Sequence, residues 1–179
     1  MRKIAVFASG NGSNFENITV AAEQGRIPGC KVVLCVCDRP GAFVTERAAR
    51  HGVEIFAFRA KDFADKRGFE KLIADRMDEL GVDLVCLAGY MRIIGDELLT
   101  RYSGRIINLH PALLPAFPGA HSIRDAFEYG VKVYGITIHY VDETLDGGRI
   151  IAQRAIPYEG EDMTELEDMI HAEEHRLYP

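Results

Sequence analysis

With 179 residues, 47% of them hydrophobic, the chain has the apolar mass for a single compact domain over residues 1–179. A net charge of -6 excludes non-specific nucleic-acid binding through a basic surface, although a local loop can still hold an anion. No apolar run reaches the roughly 18 residues of a membrane span, and Met1-Arg2-Lys3 leads into strand-like sequence rather than a signal peptide, so the expected location is cytoplasmic.

Short apolar runs alternate with longer amphipathic ones, the pattern of βαβ units around a mainly parallel sheet. Lys3 to Ala8 reads as the first strand, Gly12 to Gly25 as a helix, and Lys31 to Cys37 as the second strand. A helix over Ala42 to His51 stops at Gly52, and Val53 to Ala57 is the third strand. Asp62 to Leu80 is read as one long helix with an apolar stripe of Phe69, Leu72, Ile73, Met77 and Leu80, closed by Gly81. Asp83 to Ala88, continuously hydrophobic, is a strand buried on both faces. A short helix and a fifth strand, Arg105 to Leu109, follow. Pro111, Pro115 and Pro118 then punctuate an irregular stretch before a short helix over Ser122 to Tyr129. Lys132 to Val141 and Arg149 to Ile156 read as strands joined by the Asp142 to Gly148 loop, and Thr164 to Leu177 is the last helix. The expected fold is α/β: a three-layer, Rossmann-like α/β/α arrangement whose central sheet is mainly parallel and partly mixed. Cys30, Cys35, Cys37 and Cys86 lack C-x-x-C spacing, so free thiols are expected rather than a zinc site.

Ser9-Gly10-Asn11-Gly12-Ser13-Asn14 lies where the first strand meets the first helix. Its glycines allow a tight turn with outward N–H groups at the positive end of a helix, which suits a phosphate monoester. A plain turn with Ser13 capping the helix fits equally. A dinucleotide fingerprint, with Asp38 ending the second strand, fits less well, because Phe15 stands where the third glycine belongs.

Asn108-Leu109-His110 follows the apolar pair Ile106-Ile107. Positions i and i+2 of a strand project from one face, so an amide donor and a titratable imidazole would share a cleft. Asp146, in Leu145-Asp146-Gly147-Gly148, adds a carboxylate. An amide that can hold an oxyanion, beside a base that a carboxylate can tune, is equipment for acyl or formyl transfer. An isolated N-x-H can also merely end a strand. Pro111 biases His110 toward extended geometry, and the isomer of Leu114-Pro115 is open.

These motifs, in order with Ala88-Gly89-Tyr90-Met91-Arg92-Ile93-Ile94 and His110-Pro111-Ala112-Leu113-Leu114-Pro115, make the chain resemble the folate-dependent phosphoribosylglycinamide formyltransferase family. The resemblance runs from residue 3 to residue 179 and implies transfer of a formyl group from the co-substrate 10-formyltetrahydrofolate to glycinamide ribonucleotide, without a metal. It implies a single formyltransferase domain, its N-terminal half binding the nucleotide phosphate and its C-terminal half serving folate and catalysis. Asn108, His110 and Asp146 fall on catalytic positions, with Asn108 also on the folate side. Asn11, Gly12, Ser13 and Asn14 fall on the phosphate loop, and Glu174 on a residue gripping the ribose hydroxyls. Met91, Arg92, Ile93 and Ile94 fall on the folate-lining segment, and Lys66 on a position touching the folate. The expected partners are the nucleotide and a reduced folate, with no nucleic acid or membrane, in a monomer or homodimer. Two departures stand out: Arg149 where the family usually has proline, and an end at Pro179 where relatives continue the helix and add a strand.

Three rival functions share parts of this pattern. A formyltetrahydrofolate hydrolase would use the same three residues but usually lacks the phosphate loop. A methionyl-tRNA formyltransferase needs an added RNA-binding domain, and a non-catalytic nucleotide-binding module has no need of Asn108, His110 and Asp146 together. His139 lies on the approach to Asp146, so a metal site of His110, His139 and Asp146 is a minor alternative. His121 reads as cleft or surface, and His51, His171 and His175 as helix-end or surface residues.

Overall fold

A computed structural model describes residues 1–179, which form two compact units, Met1–Ile107 with Pro179 and Asn108–Tyr178. The strands are β1 (Arg2–Ala8), β2 (Cys30–Cys37), β3 (Glu54–Ala57), β4 (Leu84–Leu87), β5 (Ile106–His110), β6 (Val133–Tyr140) and β7 (Ile150–Pro157). They make one mixed sheet in the order β3-β2-β1-β4-β5-β6-β7, flanked by helices. Pairs β1-β2, β1-β4 and β2-β3 are parallel, and β6-β7 is antiparallel. The α/β architecture with a mainly parallel, partly mixed sheet is therefore as expected.

In the first unit, Ile4 to Ala8 are buried without a break, as a central parallel strand requires. Helix α1 (Ser13–Glu23) buries Phe15, Ile18 and Ala21. Phe15 is fully buried, so its bulk fills the core in place of a glycine. Helix α2 (Phe43–Arg50) buries Val44 and Ala48. The four cysteines are free thiols, and burial pushes the Cys35 thiol up to about 12, which leaves it inert at neutral pH.

Two expectations for the long helix need correction. Asp62 does not start it: Ala60–Asp62 is a separate 3₁₀ turn, and α3 spans Lys66–Leu80. Asp65 caps it by accepting from the Gly68 N–H at 2.8 Å, and an N-cap must keep extended backbone, so the helix cannot continue upstream. Leu72 does not belong to the buried stripe; it is 48% exposed, while Glu70 is buried at 3% exposure. Glu70 turns inward because its carboxylate accepts the Gly95 N–H at 2.7 Å. Gly81, at φ 67°, ends α3 in the left-handed region as expected. Helix α4 (Asp96–Arg101) completes this unit.

In the second unit, α6 (Met163–Leu177) packs against β6, β7 and α5 (Ser122–Tyr129), burying Leu166 and Ile170 completely. Asp162 caps α6 by accepting from Thr164 and Glu165. The proline-rich stretch after β5 includes a cis Leu114-Pro115 bond. It is tied down by Thr137 of β6, whose buried hydroxyl donates to the Ala112 carbonyl (2.7 Å) and accepts from Leu114 N (3.1 Å) and Gln153 Nε2 (3.0 Å). That uses the hydroxyl's one proton and both lone pairs. Thr137→Val keeps the shape but strands these partners in the interior. It should lower unfolding stability by about 2 kcal/mol or more, read by chemical denaturation; a change under about 0.5 kcal/mol would contradict the account.

Candidate active site

The site in the second unit begins at the end of β5. Asn108 is half-buried and His110 buried, two positions apart on the strand. The His110 Nε2 lies 2.8 Å from the Phe117 carbonyl. A carbonyl only accepts, so Nε2 carries a proton, and Nδ1 is the nitrogen left for chemistry. Nδ1 faces Asp146 Oδ2 at 3.7 Å. Phe117 has φ 50°, a left-handed conformation unusual for an aromatic residue, and a turn closed by Ala116 N to Leu113 O at 3.0 Å precedes it. The cross-links through Thr137 hold this stretch, so packing sets the carbonyl that fixes the imidazole.

Asp146 stands on the loop between β6 and β7. Asp142 starts that loop by accepting from Thr144 N at 2.8 Å, and Gly147 N donates to Thr144 O at 3.2 Å. The paired glycines are required by close approach: a Cβ on Gly148 would lie 1.8 Å from the Tyr140 carbonyl, and one on Gly147 would lie 2.4 Å from Thr144 Cγ2. Asp146 itself has φ 50°, which aspartate tolerates better than most residues. Its Oδ2 accepts from Gly119 N at 2.8 Å, binding the acidic loop to the proline-rich segment. Arg149 lies over the Tyr140 ring at 4.8 Å, so the departure from proline adds a cation–π contact at the loop's edge.

His139 joins this cluster in a role the sequence does not assign. Its Nδ1 lies 2.9 Å from the Tyr140 carbonyl and is the donor there. In the neutral ring, Nε2 then carries a lone pair and accepts from Asn108 Nδ2 at 3.2 Å. The same Nε2 is 3.9 Å from Asp146 Oδ1. His139 thus fixes which way the Asn108 amide points and leaves its second N–H for another acceptor. A register shift in β6-β7 between Ile138 and His139 aims this side chain, and no sequence pattern announces it. No group of three His, Cys, Asp or Glu side chains here has metal-holding geometry. His121 is exposed at the start of α5.

Glu174 is buried on α6, and His171 Nδ1 lies 3.0 Å from its Oε2. That hydrogen bond raises the His171 imidazole above its ordinary value.

The remaining expected residues lie in the first unit. Gly12, at φ 77°, is the N-cap of α1, and Ser13 is the first helical residue rather than its cap. A Cβ at Gly12 would come within 2.4 Å of Val44 Cγ2, so glycine is needed for packing as well as for conformation. Arg47 donates to Asn11 through Nε to the backbone carbonyl and through a terminal nitrogen to Oδ1, both at 2.9 Å. Asp38 is paired with Arg92, Nε to Oδ2 at 2.8 Å, so this carboxylate serves the Met91–Ile94 segment. Ser9 Oγ accepts from Met91 N at 2.9 Å, and Lys66 Nζ donates to the Ile93 carbonyl at 3.0 Å. Met91 and Ile93 are exposed, and Ile94 is buried. Tyr90 makes an edge contact with Phe7 at 5.3 Å.

Residues 2–179 match the family model described as "Formyl transferase". The chain is 51% identical over 180 residues to the phosphoribosylglycinamide formyltransferase of Bacillus subtilis (strain 168), covering 100% of this chain and 92% of that protein. It is 34% identical to the enzyme of that name from Escherichia coli (strain K12), covering 98% and 83%. Among solved structures, glycinamide ribonucleotide transformylase 1 from Geobacillus kaustophilus matches with a TM-score of 0.97 at 51% identity, covering 100% of this chain and 95% of that one.

Proposed function

The chain belongs to the formyl transferase family, and from that premise we propose that it transfers the formyl group of 10-formyltetrahydrofolate to the amino group of glycinamide ribonucleotide. The products are formylglycinamide ribonucleotide and tetrahydrofolate, and the setting is cytoplasmic de novo purine synthesis. The observation that carries this reading is the convergence of Asn108, His110 and Asp146, with His139 behind the amide.

In the reaction a bond forms from the amine nitrogen to the formyl carbon, and the bond from that carbon to the folate nitrogen breaks. The amine loses a proton and the departing nitrogen gains one. Between the two events the carbon is tetrahedral and its oxygen carries negative charge. Asn108 meets that oxygen with the N–H that His139 leaves unused. An oxyanion donor of this kind is worth about 10²–10³ in rate. His110 works through Nδ1, since Nε2 is committed to Phe117; as a cation it donates to the oxyanion or to the leaving nitrogen. Asp146 takes the proton shed by the amine, through water, and orients the imidazole. Asn11 to Asn14 hold the nucleotide phosphate, Glu174 the ribose hydroxyls, and Lys66 with Met91 to Ile94 the folate.

Tetrahydrofolate release, measured with and without glycinamide ribonucleotide, tests this directly. Release should require the nucleotide. Equal release with formate produced in its absence would identify a hydrolase, and no release at all would leave only a nucleotide-binding module.

A further inference from the structure

Helix α4 begins at Gly95, which has no side chain to accept the N–H groups of the first turn, and no cap from its own residue is present. The acceptor comes from another helix. Glu70 of α3 takes the Gly95 N–H at 2.7 Å, the donor that the carboxylate of a capping box would satisfy, and the Leu98 N–H also favours its charge. One turn earlier on the same face of α3, Lys66 donates to the Ile93 carbonyl at 3.0 Å. The backbone from Ile93 to Gly95 is therefore gripped at both ends, a carbonyl by the ammonium and an N–H by the carboxylate. The grip is tight: a Cβ on Gly95 would lie 2.6 Å from Glu70 Oε2 and 2.7 Å from Lys66 Cδ.

We infer that Glu70 is a positioning residue for the folate: with Lys66 it clamps the Met91–Ile94 segment in the shape that receives the co-substrate. This rests on the reading that the segment lines the folate site. The side chain is buried and need not touch the folate. Holding it there is costly, for burial pushes the Glu70 carboxyl above the ordinary carboxylate range, against the pull of two backbone N–H groups and of Lys66. The charged groups facing it are Lys66 on α3 and Asp96 on α4, and the Tyr90 phenol also feels its charge. A carboxyl raised in the folded state adds stability at low pH and loses it as the pH climbs through the raised value. Ionised, Glu70 thus serves the segment's geometry at the expense of fold stability.

Glu70→Gln keeps one acceptor oxygen and removes the charge. Calorimetric titration of the full chain with tetrahydrofolate should show binding weakened about ten-fold, the scale of one hydrogen bond to a charged group. Glycinamide ribonucleotide binding should stay within about two-fold, and unfolding stability at neutral pH should hold or rise. Gly95→Ala, whose added methyl displaces the carboxylate and the lysine stem, should weaken tetrahydrofolate binding in the same selective way. Unchanged tetrahydrofolate affinity in Glu70→Gln, or parallel loss of both ligands with stability, overturns the clamp while leaving the folate reading intact. A wild-type chain that binds no tetrahydrofolate overturns the folate reading, and the clamp with it.

Discussion

His110→Ala should lower kcat by about 10³-fold, the middle of the range for a positioned acid–base group, while nucleotide affinity changes by less than about two-fold. The expectation follows from how the ring is held. Its Nε2 proton is fixed on the Phe117 carbonyl, so Nδ1, which faces Asp146, is the nitrogen left for chemistry. Removing a buried imidazole also strands that carbonyl and costs some stability, which would cloud a loss of activity. His110→Gln answers this, because an amide N–H can still donate to the carbonyl but cannot carry a proton in transit. If the loss stems from chemistry, the glutamine variant should be nearly as slow as the alanine variant in steady-state kinetics. A glutamine enzyme with near wild-type kcat would show that the ring serves packing alone.

Asp146→Asn is expected to reduce kcat by about 10²–10⁴-fold with little change in nucleotide KM. The substitution is nearly isosteric. Asparagine tolerates the left-handed backbone that residue 146 adopts, and its carbonyl can still accept from Gly119 N. What it lacks is the charge and the ability to take up a proton near His110 and His139. A raised nucleotide KM with unchanged kcat would instead place residue 146 in binding, contrary to its assigned part.

Much of this site is legible in the amino-acid sequence. The two-residue period of a strand is enough to put Asn108 and His110 on one face, and the acidic Leu145-Asp146-Gly147-Gly148 loop offers the carboxylate that the fold brings to them. Most of what stays hidden shares one physical cause: it depends on contacts distant in sequence. The sequence offers His139 only as a metal alternative beside Asp146, because the register shift that aims it at Asn108 arises from pairing with β7. Glu70 falls outside the apolar stripe because its burial is set by Gly95, on another element. The break between Asp62 and Asp65 has a local cause, the cap that Asp65 forms by accepting from the Gly68 N–H. Ser13 fails as a cap because Gly12, pressed against Val44, already holds that place. The cis bond at Leu114-Pro115 has no local signal at all.

A double-mutant cycle on His110→Gln and Asp146→Asn, read by kcat under saturating substrates, probes most directly whether the imidazole and the carboxylate that orients it act as one catalytic unit. If they work as a unit, the double variant should be about as slow as the slower single variant, since the second change removes nothing still in use. Losses that multiply would mean that the two groups act independently, and the part given to Asp146 in orienting the imidazole would have to be abandoned.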